Sequence, residues 1–262
     1  MEILESGRNF DFVLLIAILV IMYIAIFRAS KGKVPTLRKL PFVDAIDNII
    51  GRCVEMGRPL TFSAGEIRDI QSSSSTLITA ALSVFGYVAR ESVKRGAILY
   101  VYTDVPGVYL LEQEILRQAY VAEGKPEEYR SERVVPFLAG QGKSMKLGIM
   151  GFAARIKPAG SIITGVWLSS PPYIVECMAE QGAMQICGGT GGVGMSVFAA
   201  LSDFAIIGEE NYALGAYLSR DPLQLANIAG KDYVKLVLLA ILVIGFVLAS
   251  IGSSALFDLL SW

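Results

Sequence analysis

Ala183–Arg220, AMQICGGTGGVGMSVFAALSDFAIIGEENYALGAYLSR, is the stretch on which the fold turns. It reads as a short apolar strand (Ala183–Cys187), a glycine-rich turn, an apolar helix, and an acidic pair, Glu209–Glu210, opening a further helical segment. A strand that runs through a tight turn into a helix is half of a βαβ unit, and repeated units build a parallel sheet covered on both faces. Upstream, the same alternation recurs. Strands are expected at Pro59–Ser63, Ala97–Thr103, Arg133–Leu138 and Ser161–Leu168. Helices are expected near Phe42–Met56, Thr76–Lys94, Val108–Ala122, Met145–Arg155 and Tyr173–Gln181. In the third of these, Leu111, Ile115 and Ala119 fall along one face. The expected fold is α/β, with a Rossmann-like, mostly parallel five-stranded sheet.

Composition places that domain beside a membrane. The chain has 262 residues, 53% of them hydrophobic, and a mean hydropathy of +0.54. It is too apolar for an ordinary soluble domain, yet 18% charged residues are too many for a protein lying wholly in lipid. A net charge of −1 gives no footprint for nucleic acid. Histidine is absent, which removes Ser-His and Cys-His nucleophilic systems and the commonest metal ligand. Cys53, Cys177 and Cys187 have no C-x-x-C spacing and read as small buried hydrophobes; no metal site is expected.

Two uncharged runs read as transmembrane helices. Phe12–Phe27 follows Glu2, Glu5 and Asp11 and is followed at once by Arg28, a pattern that fits a retained anchor and not a cleaved signal. Arg28, Lys31, Lys33, Arg38 and Lys39 then form a basic flank that attracts anionic headgroups. Leu236–Phe257 has Arg220, Lys231 and Lys235 on its N-terminal side and Asp258 beyond it. Both flanks give one topology: main domain cytoplasmic, N- and C-termini outside the plasma membrane. The expected segments are a transmembrane helix at 10–28, a basic linker at 29–40, the α/β domain at 41–233, and a second transmembrane helix at 234–257. Gly245, Ala249 and Ser253 form a small-residue stripe suited to packing against the first span or between protomers of a homo-oligomer.

In parallel sheets, ligands bind beyond the carboxyl ends of the strands. The candidate ligand residues are accordingly Ser63 and Gly65, Thr103 and Asp104, Gly140, Gly142, Lys143 and Ser144, then Gly189, Thr190, Gly191 and Gly194, with Glu209 and Glu210 beyond. Gly189–Gly194 matches G-x-G-x-x-G, whose glycines admit close backbone approach to a phosphate at a helix N-terminus. It follows the last expected strand, whereas a dinucleotide fingerprint belongs on the first βαβ unit, so no cofactor is identified. Gly142–Ser144 has the G-K-S end of a Walker A loop, but Phe137 stands where the first glycine belongs. A nucleotide or another small anion held by Lys143 and backbone N–H groups is the remaining expectation. Asp104 and Glu209–Glu210 have structural alternatives as turn and helix-cap residues.

The runs GRCVEMGRPLTFSAG (51–65) and DFAIIGEENYALGAYLSRDP (203–222), set between two spans, resemble a family of prokaryotic membrane proteins known as a domain of unknown function. The likeness covers most of residues 42–250. It implies the architecture and the importance of both stretches, and carries over no activity, cofactor or catalytic residue.

The preferred expectation is a non-enzymatic, cytoplasmic-facing module that binds a small anionic ligand or assembles with itself. One alternative is a membrane-bound nucleotide- or dinucleotide-using enzyme. Another is a subunit of an oligomeric channel or transporter, which two spans without internal charges could form only as a ring of protomers.

Overall fold

Six strands run parallel in one sheet: β1 (Leu60–Gly65), β2 (Leu99–Thr103), β3 (Val134–Pro136), β4 (Gly160–Val166), β5 (Met184–Gly189) and β6 (Phe204–Ile207). Their order across the sheet is β3-β2-β1-β4-β5-β6. The computed structural model describes residues 9–32, 41–66, 75–136, 143–167, 170–190, 192–219 and 221–254. They fall into two compact units, Arg38–Ser219 and the pairing of Met1–Leu37 with Arg220–Trp262.

Every residue of β1 is buried, as expected of a central strand covered on both faces. Alternation along the strands divides the core. Leu60, Phe62, Leu99, Val101 and Ile162 face α2 (Pro41–Met56), α3 (Ser75–Arg95), α4 (Pro106–Ala122) and α8 (Glu210–Ser219). There Phe62 meets Phe85 at 4.8 Å between ring centroids. Tyr102, Ile163, Trp167 and Cys187 face α5 (Lys143–Ile156), α6 (Pro171–Glu180) and α7 (Gly192–Leu201). Burying each large side chain contributes roughly 1.5–3 kcal/mol, so both faces drive the sheet to form. Connections from β1 and β2 use the first face, while those from β3, β4 and β5 use the second. Strand order therefore reverses between β1 and β4.

The sheet has six strands where five were expected. Phe204–Ile207 is the addition, and it is paired in register with Ile186–Gly189. Only Ser202 and Asp203 separate it from α7, and no glycine or proline marks the boundary. The Asp203 carboxylate accepts a hydrogen bond from the Gln185 N–H at 2.7 Å and fixes the return. At the same N-terminal edge of the sheet, Arg58 donates to the carbonyls of Lys157, Pro158 and Gln181 at 2.7, 2.9 and 2.5 Å. One guanidinium thus ties three chain segments to the start of β1.

A second correction concerns α4. Its buried face is Val108, Glu112, Leu116, Ala119 and Tyr120, whereas Leu111 is 46% exposed. The true stripe carries an acid at its centre, so the apolar periodicity pointed to the neighbouring face.

In the second unit, α1 (Asn9–Ser30) and α9 (Pro222–Ser250) are long and apolar enough to cross a membrane, with peak mean hydropathies of 2.9 and 2.5. Asp221 caps α9 by accepting from the Leu223 N–H at 2.9 Å. Gly252, at φ +82°, ends it in a left-handed turn closed by Ser253 N–H to the Leu248 carbonyl at 2.9 Å. The apolar run continues past this stop. Half-buried or buried residues recur at Leu14, Ile18, Met22, Ala25 and Ala29, and at Ala226, Gly230, Val234, Ile241 and Gly245, so the two helices pack along these stripes. The tightest approach is at Gly230, where a Cβ would lie 2.8 Å from Met22 Sδ and 3.3 Å from Ala25 Cβ. Small residues make such contact possible between apolar helices. In the expected stripe, Gly245 is half-buried and Ala249 is exposed.

Candidate functional site at the strand-order reversal

Where strand order reverses, neighbouring helices leave on opposite faces and a crevice opens beyond the strand ends. Here the reversal falls at Gly65 of β1 and Val166 of β4. The two chains come unusually close: the register slips between Ser63 and Gly65, and Glu66 N–H donates to the Val166 carbonyl at 2.7 Å. Gly65 and Gly165 both adopt positive φ, +118° and +103°. A Cβ on Gly65 would sit 2.8 Å from the backbone N and O of Val166, and one on Gly165 would overlap the Ala64 carbonyl. Only glycine satisfies both positions.

Three carboxyl groups ring this point. Glu66, 9% exposed, accepts from the backbone N–H of Ser170 at 3.3 Å, which places its charge at the N-terminus of α6. Asp104 ends β2; burial pushes its carboxyl up to about 6, and the charge of Glu66 adds to the effect. Glu112 rises from α4 on the other face, fully buried against the Ala64 backbone. Burial first, then the charge of Asp104, holds it well above the ordinary glutamate range.

Around these acids, polar atoms lack partners. Both carboxyl oxygens of Glu112, Oδ1 of Asp104, and the hydroxyls of Ser63, Thr164 and Ser170 are buried without a hydrogen bond among the described residues. The hydroxyls of Tyr102 and Ser161 face one another across β1 without reaching hydrogen-bond geometry. Buried polar groups are normally satisfied, and each one left open costs about 1–3 kcal/mol. Several of them lie at the topological switch point.

Of the residues singled out in the sequence, Ser63, Gly65, Thr103 and Asp104 come together here. Thr103 Oγ1 accepts from Val105 N–H at 3.3 Å. Gly189, Thr190 and Gly194 belong to the neighbouring β5–α7 turn, where a Cβ on Gly189 would lie 3.7 Å from the Gly165 carbonyl, and the protein fills that turn itself. A Cβ on Gly189 would meet the Phe198 ring at 3.0 Å, and one on Gly194 would meet the Trp167 carbonyl at 3.1 Å. Asn211 donates from Nδ2 to the carbonyls of Gly189, Ile206 and Gly208 at 3.3, 3.3 and 3.1 Å. Its side chain occupies the space a Cβ on Gly188 would need. These glycines admit protein atoms.

Glu209 and Glu210 serve the start of α8. The Glu209 carbonyl accepts from the N–H groups of Tyr212 and Ala213, and Glu210 Oε2 accepts from Ile207 N–H at 3.2 Å. Lys143 and Ser144 are the first residues of α5, which follows edge strand β3 and not a strand of the reversal. Gly140, Gly142 and Gly191 lie outside the described residues.

Sequence reasoning passed over Glu66, Glu112, Thr164, Ser170 and Asn211. For Glu112 a signal existed: with Val108 and Leu116 it forms an i, i+4, i+8 row, continued by Tyr120. The thiols offer no activated nucleophile, since burial pushes Cys53 and Cys177 up to about 12 and Cys187 higher still. Among the described residues no three acids or cysteines stand close enough to hold a metal ion.

No curated protein and no solved structure is a significant match to this chain. A family match spans almost all of it, residues 1–260, under the description "Domain of unknown function (DUF6754)". The chain, from its first apolar helix through its second, belongs to the DUF6754 family.

Proposed function

We propose that this protein is a two-span plasma-membrane module whose cytoplasmic α/β domain binds a small ligand in the crevice between β1 and β4. The observation that carries the reading is the set of unpartnered buried polar atoms around Glu66, Asp104 and Glu112 at the strand-order reversal. Binding, with no reaction performed, fits a site that has acids and hydroxyls but no histidine or activated thiol.

The same residues set the ligand's charge. A dinucleotide places its pyrophosphate at this point, above a glycine-rich first turn. Here that position carries Glu66, with Asp104 and Glu112 beside it. A phosphate would meet like charge, while an ammonium group or a donor-rich neutral ligand would find acceptors. The proposed ligand is accordingly an amine-bearing small molecule, in place of the small anion suggested by the glycine turns.

The membrane placement rests on the two apolar helices and their basic flanks. Arg28, which closes the apolar run of α1, and Tyr233, just before that of α9, line one groove, so the flanks that the topology puts on one side are neighbours.

Thermal melting of the purified full chain tests the ligand reading against a panel of small amines, phosphate, ATP and NAD. Stabilisation by amines that disappears in Asp104→Asn is expected. Stabilisation by phosphate or nucleotide, unchanged in that variant, would overturn it.

A further inference from the structure

Between α1 and α9 runs a groove of about 370 Å³. Its walls are Ile21 and Ile24 on one helix and Leu236 and Val237 on the other. Two polar residues share the lining, Arg28 and Tyr233. Neither makes a hydrogen bond or ion pair among the described residues, and both are exposed. Each also marks a boundary in sequence: Arg28 directly follows the uncharged run Phe12–Phe27, and Tyr233 stands three residues before Leu236. Arginine and tyrosine at such boundaries sit at headgroup depth, with their stems along apolar surface.

We infer that this groove holds one anionic phospholipid, its acyl chain against Ile21, Ile24, Leu236 and Val237 and its phosphate on Arg28 and Tyr233. The guanidinium offers a planar fork that matches a phosphate bidentately, and the phenol adds a third donor. Charge nearby favours the same occupant. Lys31 lies one turn on, its ammonium 4.3 Å from the Phe27 ring centroid, and Lys231 and Lys235 belong to α9. The one acid in this stretch of α9, Asp232, is 3.6 Å from Lys235. Free phosphate would leave the apolar walls uncovered, whereas a neutral phospholipid would leave the arginine fork without excess negative charge. The inference rests on α1 and α9 spanning the bilayer, as proposed above.

The test uses the full chain in nanodiscs of mixed phosphatidylglycerol and phosphatidylcholine, with retained lipid read by native mass spectrometry. The expected result is one retained lipid per chain, enriched in phosphatidylglycerol over the bulk ratio. Losing one cationic contact near the surface should lower that enrichment about fivefold in Arg28→Gln. Arg28→Lys should keep part of it, and Tyr233→Phe should lower it less. Arg28 holds no structural bond, so the glutamine variant leaves the helices intact. Retention at the bulk ratio, or enrichment unchanged in Arg28→Gln, overturns the lipid site while leaving the spans in place. Release of the chain from membranes by alkaline carbonate overturns the spans and the site together.

Discussion

The turn after β5 and the crevice after β1 are both glycine-containing strand ends, yet they are finished in opposite ways. At the β5 turn, protein atoms occupy the space beside the glycines: Phe198 beside Gly189, the Trp167 carbonyl beside Gly194, and Asn211 beside Gly188. Asn211 also donates to three carbonyls, although its own Oδ1 has no hydrogen-bond partner among the described residues. At the crevice, glycines bring β1 and β4 into contact, and the polar atoms around them stay unmatched. Glycine spacing reports only that something approaches the backbone closely. Whether that something is the protein or a ligand is decided by side chains distant in sequence.

The largest test of this contrast is substitution of the crevice glycines. Gly165→Ala forces a Cβ onto the Ala64 carbonyl at a φ of +103°, and neither backbone can yield without breaking the β1–β4 pairing. A loss of at least about 4 kcal/mol is expected, read as failure to accumulate folded protein or as a collapsed melting temperature. Gly189→Ala meets only the edge of a ring, which can shift, and should cost about 1–2 kcal/mol. If the two variants melt alike, the contrast between backbone and side-chain contacts is wrong.

The elements that sequence reading recovered are those with strong local signals. Apolar runs bounded by glycine or proline located five of the strands and the helices between them, because burial on two faces requires such runs. Phe204–Ile207 escaped because it becomes a strand only by pairing with Ile186–Gly189. The candidate site was half legible. Ser63, Gly65, Thr103 and Asp104 lie at strand ends and could be listed from the alternation alone. Glu112 comes from the middle of a helix and Ser170 from another helix start, so only the folded sheet brings them near. Strand order decides which ends form the crevice, and strand order is a long-range property that no local pattern states.

Next in size is the closed turn itself. Asn211→Ala leaves the carbonyls of Gly189, Ile206 and Gly208 without their shared donor, in a buried setting. A loss of about 2–3 kcal/mol is expected by chemical denaturation. No change in ligand-induced stabilisation should accompany it, since the proposed site lies at the β1–β4 reversal and not at this turn. Loss of amine stabilisation in this variant, at temperatures where it remains folded, would move the site to β5.

Glu112→Gln probes the crevice from its buried side. The folded protein holds Glu112 well above its ordinary 4.5, mainly through burial, so the unfolded chain ionises first as pH rises. Folding with glutamate therefore loses stability above about 4.5 as pH climbs toward the folded value, and glutamine removes that loss. The melting-temperature gain of Glu112→Gln should grow as pH rises above about 4.5. A gain independent of pH would mean that Glu112 is charged in the fold.

The smallest effect belongs to Asp104, and it has the narrowest window. Its carboxyl ordinarily titrates at 3.8 and is pushed up to about 6 in the fold, by burial and by the charge of Glu66. Between those values the folded protein binds more protons than the unfolded chain, so stability falls as pH rises from about 4 to 6 and is flat beyond. Because solvent reaches part of this residue, the expected loss across the window is discounted to about 1 kcal/mol. Asp104→Asn should flatten the pH 4–6 segment of the melting profile and sit slightly above the unmodified protein at pH 7. The same window should govern binding: an amine needs Asp104 ionised, so its stabilising effect should weaken as pH drops through 6. An amine effect that stays constant from pH 8 to 5 would place the ligand's charge away from Asp104 and leave Glu66 and the hydroxyls of β1 and β4 to hold it.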